Sequence, residues 1–470
     1  MSAALHELSM TEAADAFARG EVTAAALLGS TLHRLDQHEA KINSLIRLDR
    51  AEAEEAAHTA DRARQDGRPL GPLAGVPMLH KDMYYREGRV STCGSRIRKD
   101  FVAPVTATVL KRLDAAGAID AGTLNMAEFA QNPSGHNVHF GDAMNPWNAA
   151  HCTGGSSSGS GAAVAARVVT AALGSDTGGS IRLPAAMCGV TGLKATQTRV
   201  PRTGVMPLSF SADNVGPLCR TARDAALFLL VTAGRCEGDQ TSSREDVPDY
   251  EAALTGDIRG LRVAVVEPSF FDNIDAPVAA AFSAAMEVLK GLGATVETVS
   301  PGSLFAINTY TSIVSRVEGA TIHANWMREC PGDYATHLSA RIYGGYALPA
   351  TAYLEAISRR GPLLRRFCEE ALRRFDMVAT PTLKVRVPTR AETDVDANPE
   401  NWERLMSLSV NTRPFNYLGL PTISVPAGFD DRGLPVGLQL AARPYDEAGV
   451  LRVADAFQRV TDWHKRNPLP

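Results

Sequence analysis

Apolar positions recur along this chain with two different periods, and the two alternate. Near the N-terminus the spacing is helical. Ser9 with Glu12 forms a capping-box pattern ahead of AADAFARG, and Thr23 is placed to cap a second helix through Leu35, with Leu27, Leu28, Leu32 and Leu35 along one side. The alanine- and charge-rich run Ala51 to Arg64 reads as a third helix, so residues 1–66 are expected to be a helical segment packed on the main body. Short apolar runs bounded by turn residues then predict strands in GVPMLHKD, at Ala118–Gly122 and in the run Val168 to Leu173. Further strands are predicted at Arg262–Val266, Thr295–Val299, Met377–Thr380, Thr422–Pro426 and Gly437–Ala441. Helical patterns fall between them, as at Thr106–Ala116, Ala276–Leu292, Tyr353–Arg374 and Tyr445–Thr461. Such alternation predicts an α/β protein with a central mixed sheet covered by helices on both faces. Two polar stretches, Arg235–Asp249 and Val387–Asn401, read as surface connections, and residues 67–470 are taken as one catalytic domain.

Composition narrows the class. The chain has 470 residues, 45 % hydrophobic and 21 % charged, with a net charge of −4, so it is ordinary for a globular protein and lacks a broad basic footprint for nucleic acid. Its 7 cysteines are scattered with no C-x-x-C spacing, which argues for reduced thiols in a cytoplasm and against a zinc site. No signal-like N-terminus and no apolar run of about 18 residues is seen, so no membrane span is expected.

The stretch Thr153 to Thr196 carries the chemistry. Two Gly-Gly-Ser clusters, ending at Ser156 and Ser180, bracket a segment rich in alanine and valine, and Lys81 lies upstream in GVPMLHKDM. A serine hydroxyl needs a base to become a nucleophile, and the oxyanion it creates needs fixed donors. A lysine serves as that base only when neutral, and burial without a carboxylate partner makes it so. Val76, Met78 and Leu79 ahead of Lys81 fit the end of a buried strand; a salt bridge to the adjacent Asp82 would keep the lysine charged, but neighbours in a strand point to opposite faces, so Asp82 need not meet the amine. Asp176-Thr177-Gly178-Gly179-Ser180 precedes an expected helix, Ser180 to Met187, and its glycines let backbone N–H groups converge beside the Ser180 hydroxyl. Lys81, Ser156 and Ser180 therefore read as one proton relay that cleaves amides. Asp176 reads as the group that holds the turn in shape, and Arg182 as its ion-pair partner.

Competing motifs fit less well. Gly155-Ser156-Ser157-Ser158-Gly159 matches the G-x-S-x-G nucleophile elbow, but no strand precedes it. A phosphate loop would need a G-K-[ST] or G-x-G-x-x-G pattern that is missing. His136 and His139 lie three apart without a third ligand at metal spacing, and Cys152 and Cys188 have no partnered histidine.

The chain resembles the amidase signature family. The resemblance covers at least Gly71 to Pro217 and rests on the spacing of Ser156 and Ser180, on Ser180-Ile181-Arg182 followed by Pro184, and on Cys188-Gly189-Val190-x-Gly192-Leu193-Lys194. Ser158, Gly161 and Ala195 depart from common family residues without removing a relay member. The resemblance implies that Ser180 is the nucleophile, Ser156 the bridging serine beside a cis peptide bond, Lys81 the base, and the N–H groups of Thr177, Gly178, Gly179 and Ser180 the oxyanion hole. It also implies that Ala130, Gln131 and Asn132 face the acyl group, with no metal and no cofactor. Phe129, Trp147, Tyr310, Trp326, Tyr343 and Tyr346 are further candidates for pocket walls. The main expectation is a stand-alone amidase that turns a small-molecule carboxamide into acid and ammonia or amine, with no nucleic-acid or membrane partner and with a homodimer allowed. The alternatives are the glutaminase subunit of a tRNA-dependent amidotransferase, echoed by Asn125-Met126-Ala127-Glu128-Phe129-Ala130 and Asp213, and a non-catalytic binding protein on the same fold.

Overall fold

The computed structural model describes residues 4–267 and 274–469. Eleven strands form one sheet: β1 Leu45–Leu48, β2 Pro77–Lys81, β3 Ile119–Leu124, β4 Ala171–Asp176, β5 Thr191–Lys194, β6 Asn214–Cys219, β7 Arg262–Val266, β8 Thr295–Val299, β9 Met377–Pro381, β10 Thr422–Phe429 and β11 Pro435–Ala442. Their order is β1-β3-β2-β4-β6-β5-β10-β11-β9-β7-β8. The sheet is mixed: β2 is parallel to β3 and β4, and β7 to β8 and β9, while the other pairings are antiparallel. Every residue of β2, β4, β6, β9 and β11 is buried. Because successive side chains point to opposite faces, this requires cover on both sides, which the helices supply.

The predicted N-terminal helices form at Met10–Ala18, Ala24–Ile42 and Arg50–Gln65, and the Ser9–Glu12 capping box and the Thr23 cap are both made. The segment is not purely helical. Leu45–Leu48 adds an antiparallel edge strand against β3, so the first 66 residues extend the sheet as well as covering it. Strands β5 and β6 escape the sequence pattern. NVGPLC carries glycine and proline, which normally weaken a strand, yet Pro217 sits opposite Leu173 in the ladder with β4.

Parallel pairing of β2 with β4, with Leu79 opposite Ala172 and His80 opposite Leu173, positions the site. Both strands run parallel and end on the same side of the sheet, so Lys81 at the end of β2 reaches Ser175 near the end of β4.

Candidate active site

Lys81 and Ser156 are fully buried. The Lys81 Nζ lies 2.7 Å from Ser156 Oγ, 2.9 Å from Ser175 Oγ and 3.1 Å from Ser157 Oγ. Burial lowers the Lys81 amine to about 7, against the pull of the Asp176 and Asp213 charges. Asp82 does not pair with it. Its carboxylate turns away to accept from the backbone N–H of Thr92 at 2.8 Å and from the Thr92 hydroxyl.

The Ser157 hydroxyl donates to the Ser175 carbonyl at 3.3 Å, so toward Lys81 it can only accept. A neutral amine has two N–H donors and one lone pair. With Ser157 and Ser175 taking the donors, the lone pair is left for the Ser156 hydroxyl. Three hydroxyls around one buried nitrogen can thus serve the neutral amine, with Ser156 as the partner of its lone pair.

The peptide between Gly155 and Ser156 is cis. Ser157 N–H donates to the Ser180 carbonyl at 3.3 Å, which ties the two serine clusters together through the backbone. Among the described residues no hydrogen bond joins the Ser156 and Ser180 hydroxyls; Ser180 instead lines a cavity with Thr177, Gly178 and Leu183.

The turn that carries Ser180 is built around Asp176. Its carboxylate accepts from Arg182 Nε and Nη2, both at 2.9 Å, from Asn416 Nδ2 at 2.8 Å and from the N–H of Gly179 at 2.8 Å. Burial would raise this carboxyl, but the Arg182 charge and hydrogen bonds hold it at about 2. Gly179 has φ +135, and a Cβ there would stand 2.3 Å from Thr412 Oγ1, so only glycine fits. Because the Gly179 N–H is bonded to Asp176, the turn's remaining expected donors toward an oxyanion are the N–H groups of Thr177, Gly178 and Ser180. The expected helix begins two residues late, at Arg182–Cys188, which leaves Ser180 in the turn itself. The Thr177 hydroxyl donates to Asp213 at 2.6 Å, fixing the other side of the turn.

Ala130, Gln131 and Asn132 all line the Ser180 cavity. Phe129 and Ala130 both have positive φ, 46 and 61, so the chain bends sharply into the pocket here. Gln131 Nε2 is buried without a partner, whereas Asn132 is committed to His337 at 3.2 Å and to Ser134 at 2.7 Å. The aromatic candidates lie elsewhere. Phe129 stacks on Trp326, Trp147 packs on Phe429, Tyr310 stacks on Tyr417, and Tyr343 and Tyr346 are exposed. The cavity's opposite wall comes from segments without a motif: Thr311, Ser315 and Arg316, then Arg341, then Ser409 and Arg413.

The competing motifs resolve structurally. Ser157 is fully buried. His136 pairs with Asp142 and His139 with Glu128, each at 2.8 Å. Cys152 and Cys188 are buried, and burial pushes the Cys152 thiol up to about 12.

Comparison with known proteins shows the family and corrects one expectation. The family model Amidase matches residues 26–451. The A subunit of glutamyl-tRNA(Gln) amidotransferase from Chloroflexus aurantiacus is 42% identical over 489 residues, covering 99% of each chain. The crystal structure of the same amidotransferase component from Thermotoga maritima superposes with a TM-score of 0.83 at 29% identity, covering 100% of this chain and 99% of that one. A bacterial aryl acylamidase of the amidase signature family superposes with a TM-score of 0.89 at 27% identity, covering 99% of both. The full-length likeness to the amidotransferase component overturns the expectation of a stand-alone amidase whose only partner is a small amide. The relatives matched end to end are, by their names, one component of a glutamyl-tRNA(Gln) amidotransferase. The match over residues 26–451 and the full-length relatives together place this chain in the amidase family, whose members hydrolyse the carbon–nitrogen bond of amides, and it is an enzyme of that class.

Proposed function

We propose that this chain is the glutaminase component of a tRNA-dependent amidotransferase: it hydrolyses the side-chain amide of glutamine and delivers the ammonia to a partner subunit. The full-length identity of 42% with the Chloroflexus aurantiacus amidotransferase component is the observation that carries the reading. It favours a cytoplasmic setting, where tRNA is charged; the free cysteines fit, and no described helix is long and apolar enough to cross a membrane.

In this reading neutral Lys81 takes the proton of Ser156 as Ser156 takes that of Ser180. Ser180 Oγ attacks the carboxamide carbon, and the negative charge on the former carbonyl oxygen settles on the N–H groups of Thr177, Gly178 and Ser180. The proton returns through Ser156 to the leaving nitrogen, so ammonia departs and a Ser180 ester remains. Water then adds to the ester by the same relay and frees glutamate. Asp176 and Arg182 keep the donors aimed, and Asp213 anchors Thr177.

The test is ammonia release from glutamine by the isolated chain, and again with the other subunits of a related amidotransferase and glutamyl-tRNA. The reading expects glutamine hydrolysis that depends on Ser180 and rises when the partners and charged tRNA are added. A chain that ignores glutamine in both settings would overturn it.

A further inference from the structure

Asn132, on the wall of the Ser180 cavity, is locked by an imidazole that the relay does not use. The backbone N–H of Ser134, which only donates, bonds Asn132 Oδ1 at 2.8 Å, and the Ser134 hydroxyl donates to the same oxygen at 2.7 Å. Both lone pairs of Oδ1 are thereby taken, and the orientation of the amide is settled: Nδ2 is the atom that faces His337 Nε2, at 3.2 Å. An amide nitrogen only donates, so His337 Nε2 has to accept, and the proton of the ring belongs on Nδ1. Asp396 Oδ2 stands 2.8 Å from Nδ1 to receive it.

The partners come from distant parts of the chain. His337 is the second residue of the helix Thr336–Tyr346, and Asp396 belongs to the polar stretch 387–401. Asp396 Oδ1 also accepts from the backbone N–H of His337 at 2.8 Å, so one carboxylate at the start of the helix fixes both the backbone and the ring. Burial works against a charge on Asp396, but the hydrogen bond from His337 outweighs it and holds the carboxyl below its ordinary value. A second imidazole faces the same carboxylate: His136 Nε2 lies 3.8 Å from Asp396 Oδ2, and its Nδ1 is 2.8 Å from Asp142. His337 and Asn132 are both buried, so a donor left without its partner there is costly. The turn that Asn132 heads also supports the bridging serine. Gly155 N–H donates to the Pro133 carbonyl at 2.7 Å and Gly154 N–H to the Ser134 carbonyl at 3.1 Å, directly before Ser156.

We propose that His337, oriented by Asp396, is a positioning residue of the Ser180 site: as a neutral imidazole accepting from Asn132, it fixes that amide and makes it a donor toward the cavity. The inference rests on the amide-hydrolase reading of Ser180 and deepens it. With Oδ1 occupied by Ser134 and one N–H given to His337, the second N–H of Asn132 has no partner among the described residues and is the one polar valence the side chain has left. An imidazolium at 337 would set N–H against N–H. The amide would then have to turn over and present Nδ2 to the Ser134 N–H, which cannot accept it.

Ammonia release from glutamine by His337→Phe and His337→Gln, each with and without Asn132→Ala, reads the positioning. Phenylalanine fills the space of the ring without an acceptor, whereas the amide oxygen of glutamine takes the place of Nε2. His337→Phe should lower kcat/KM about 10- to 100-fold, as expected for a buried donor left unpaired, and His337→Gln should stay close to native. In the Asn132→Ala background both substitutions should change kcat/KM little, because the group they act through is gone. An equal fall in the two backgrounds, no fall in His337→Phe, or no rescue by glutamine would overturn the proposal. Nitrogen-15 NMR of histidine-labelled protein reads the ring without turnover. At about pH 8, above the ordinary histidine range, the signals lost in His337→Gln should be those of a neutral ring protonated on Nδ1, with an Nε2 resonance that moves in Asn132→Ala. That pattern in a chain that releases no ammonia would uphold the locked amide and reject the hydrolase reading. A ring protonated on Nε2 would reject the locked amide whatever the activity.

Discussion

Replacing Lys81 by methionine removes the amine at the centre of the three serine hydroxyls and keeps a side chain of similar length in its fully buried slot. The fall of this amine from its ordinary 10.5 to about 7 corresponds to about 5 kcal/mol, at about 1.36 kcal/mol for each pH unit. The sign follows from proton counting. Between pH 7 and 10.5 the unfolded chain holds the Lys81 proton and the folded chain does not, so unfolding takes one up. Stability from this group therefore rises with pH across that window by about 1.4 kcal/mol per pH unit, and it is flat below pH 7, where both states are protonated. Lys194 is also fully buried and lowered to about 7, and it adds an equal slope that the substitution leaves in place. Urea unfolding from pH 7.5 to 9.5 should show the Lys81→Met slope smaller than the native one by about 1.4 kcal/mol per pH unit. The hydroxyls left without an amine cost stability, but at every pH alike, so they do not mimic the effect. In the native enzyme kcat/KM should rise with pH through about 7, as the amine becomes neutral. Equal stability slopes in the two proteins would show that Lys81 is charged in the folded state, and the relay would lose its base.

Arg182→Met strands the Asp176 carboxylate in a site with no exposure, and it should cost about 3–5 kcal/mol, seen as a large drop in thermal midpoint. Gly179→Ala places a methyl 2.3 Å from Thr412 Oγ1 at φ +135; turnover should fall about 100-fold or more as the turn's donors shift, measured as kcat at saturating amide. Ser157→Ala removes one of three partners of Lys81 but no relay member, so kcat should fall only about 10-fold, whereas Ser180→Ala should show no turnover.

The half of the site nearest the chemistry is written locally. Glycines flank Ser156 and Ser180 because the turns need them, and an apolar strand leads to Lys81 because a neutral amine needs burial. The Asp176–Arg182 pair is legible as opposite charges six residues apart across a turn. The pocket's far wall leaves no such trace. Arg316, Arg341 and Arg413 belong to three helices separated by long stretches of chain, and helical periodicity does not say which charged residue faces a cavity rather than solvent. The same holds for the aromatic residues, because a large apolar side chain in this region satisfies a core contact as readily as a pocket wall: Trp326 covers Phe129 and Tyr310 covers Tyr417. Strands β1 and β6 are illegible for another reason. One is four residues long between two helices, and the other contains Gly216 and Pro217, so only pairing with long-range neighbours makes them strands.

The most direct test is chemical capture of the ester. The protein is mixed with an amide substrate, quenched in acid on the millisecond-to-second scale and digested for peptide mass spectrometry. The relay predicts an acyl adduct on the peptide containing Ser180, absent from both Ser180→Ala and Lys81→Ala. An adduct on Ser157 or on a cysteine, or ammonia release that continues in Ser180→Ala, would contradict it.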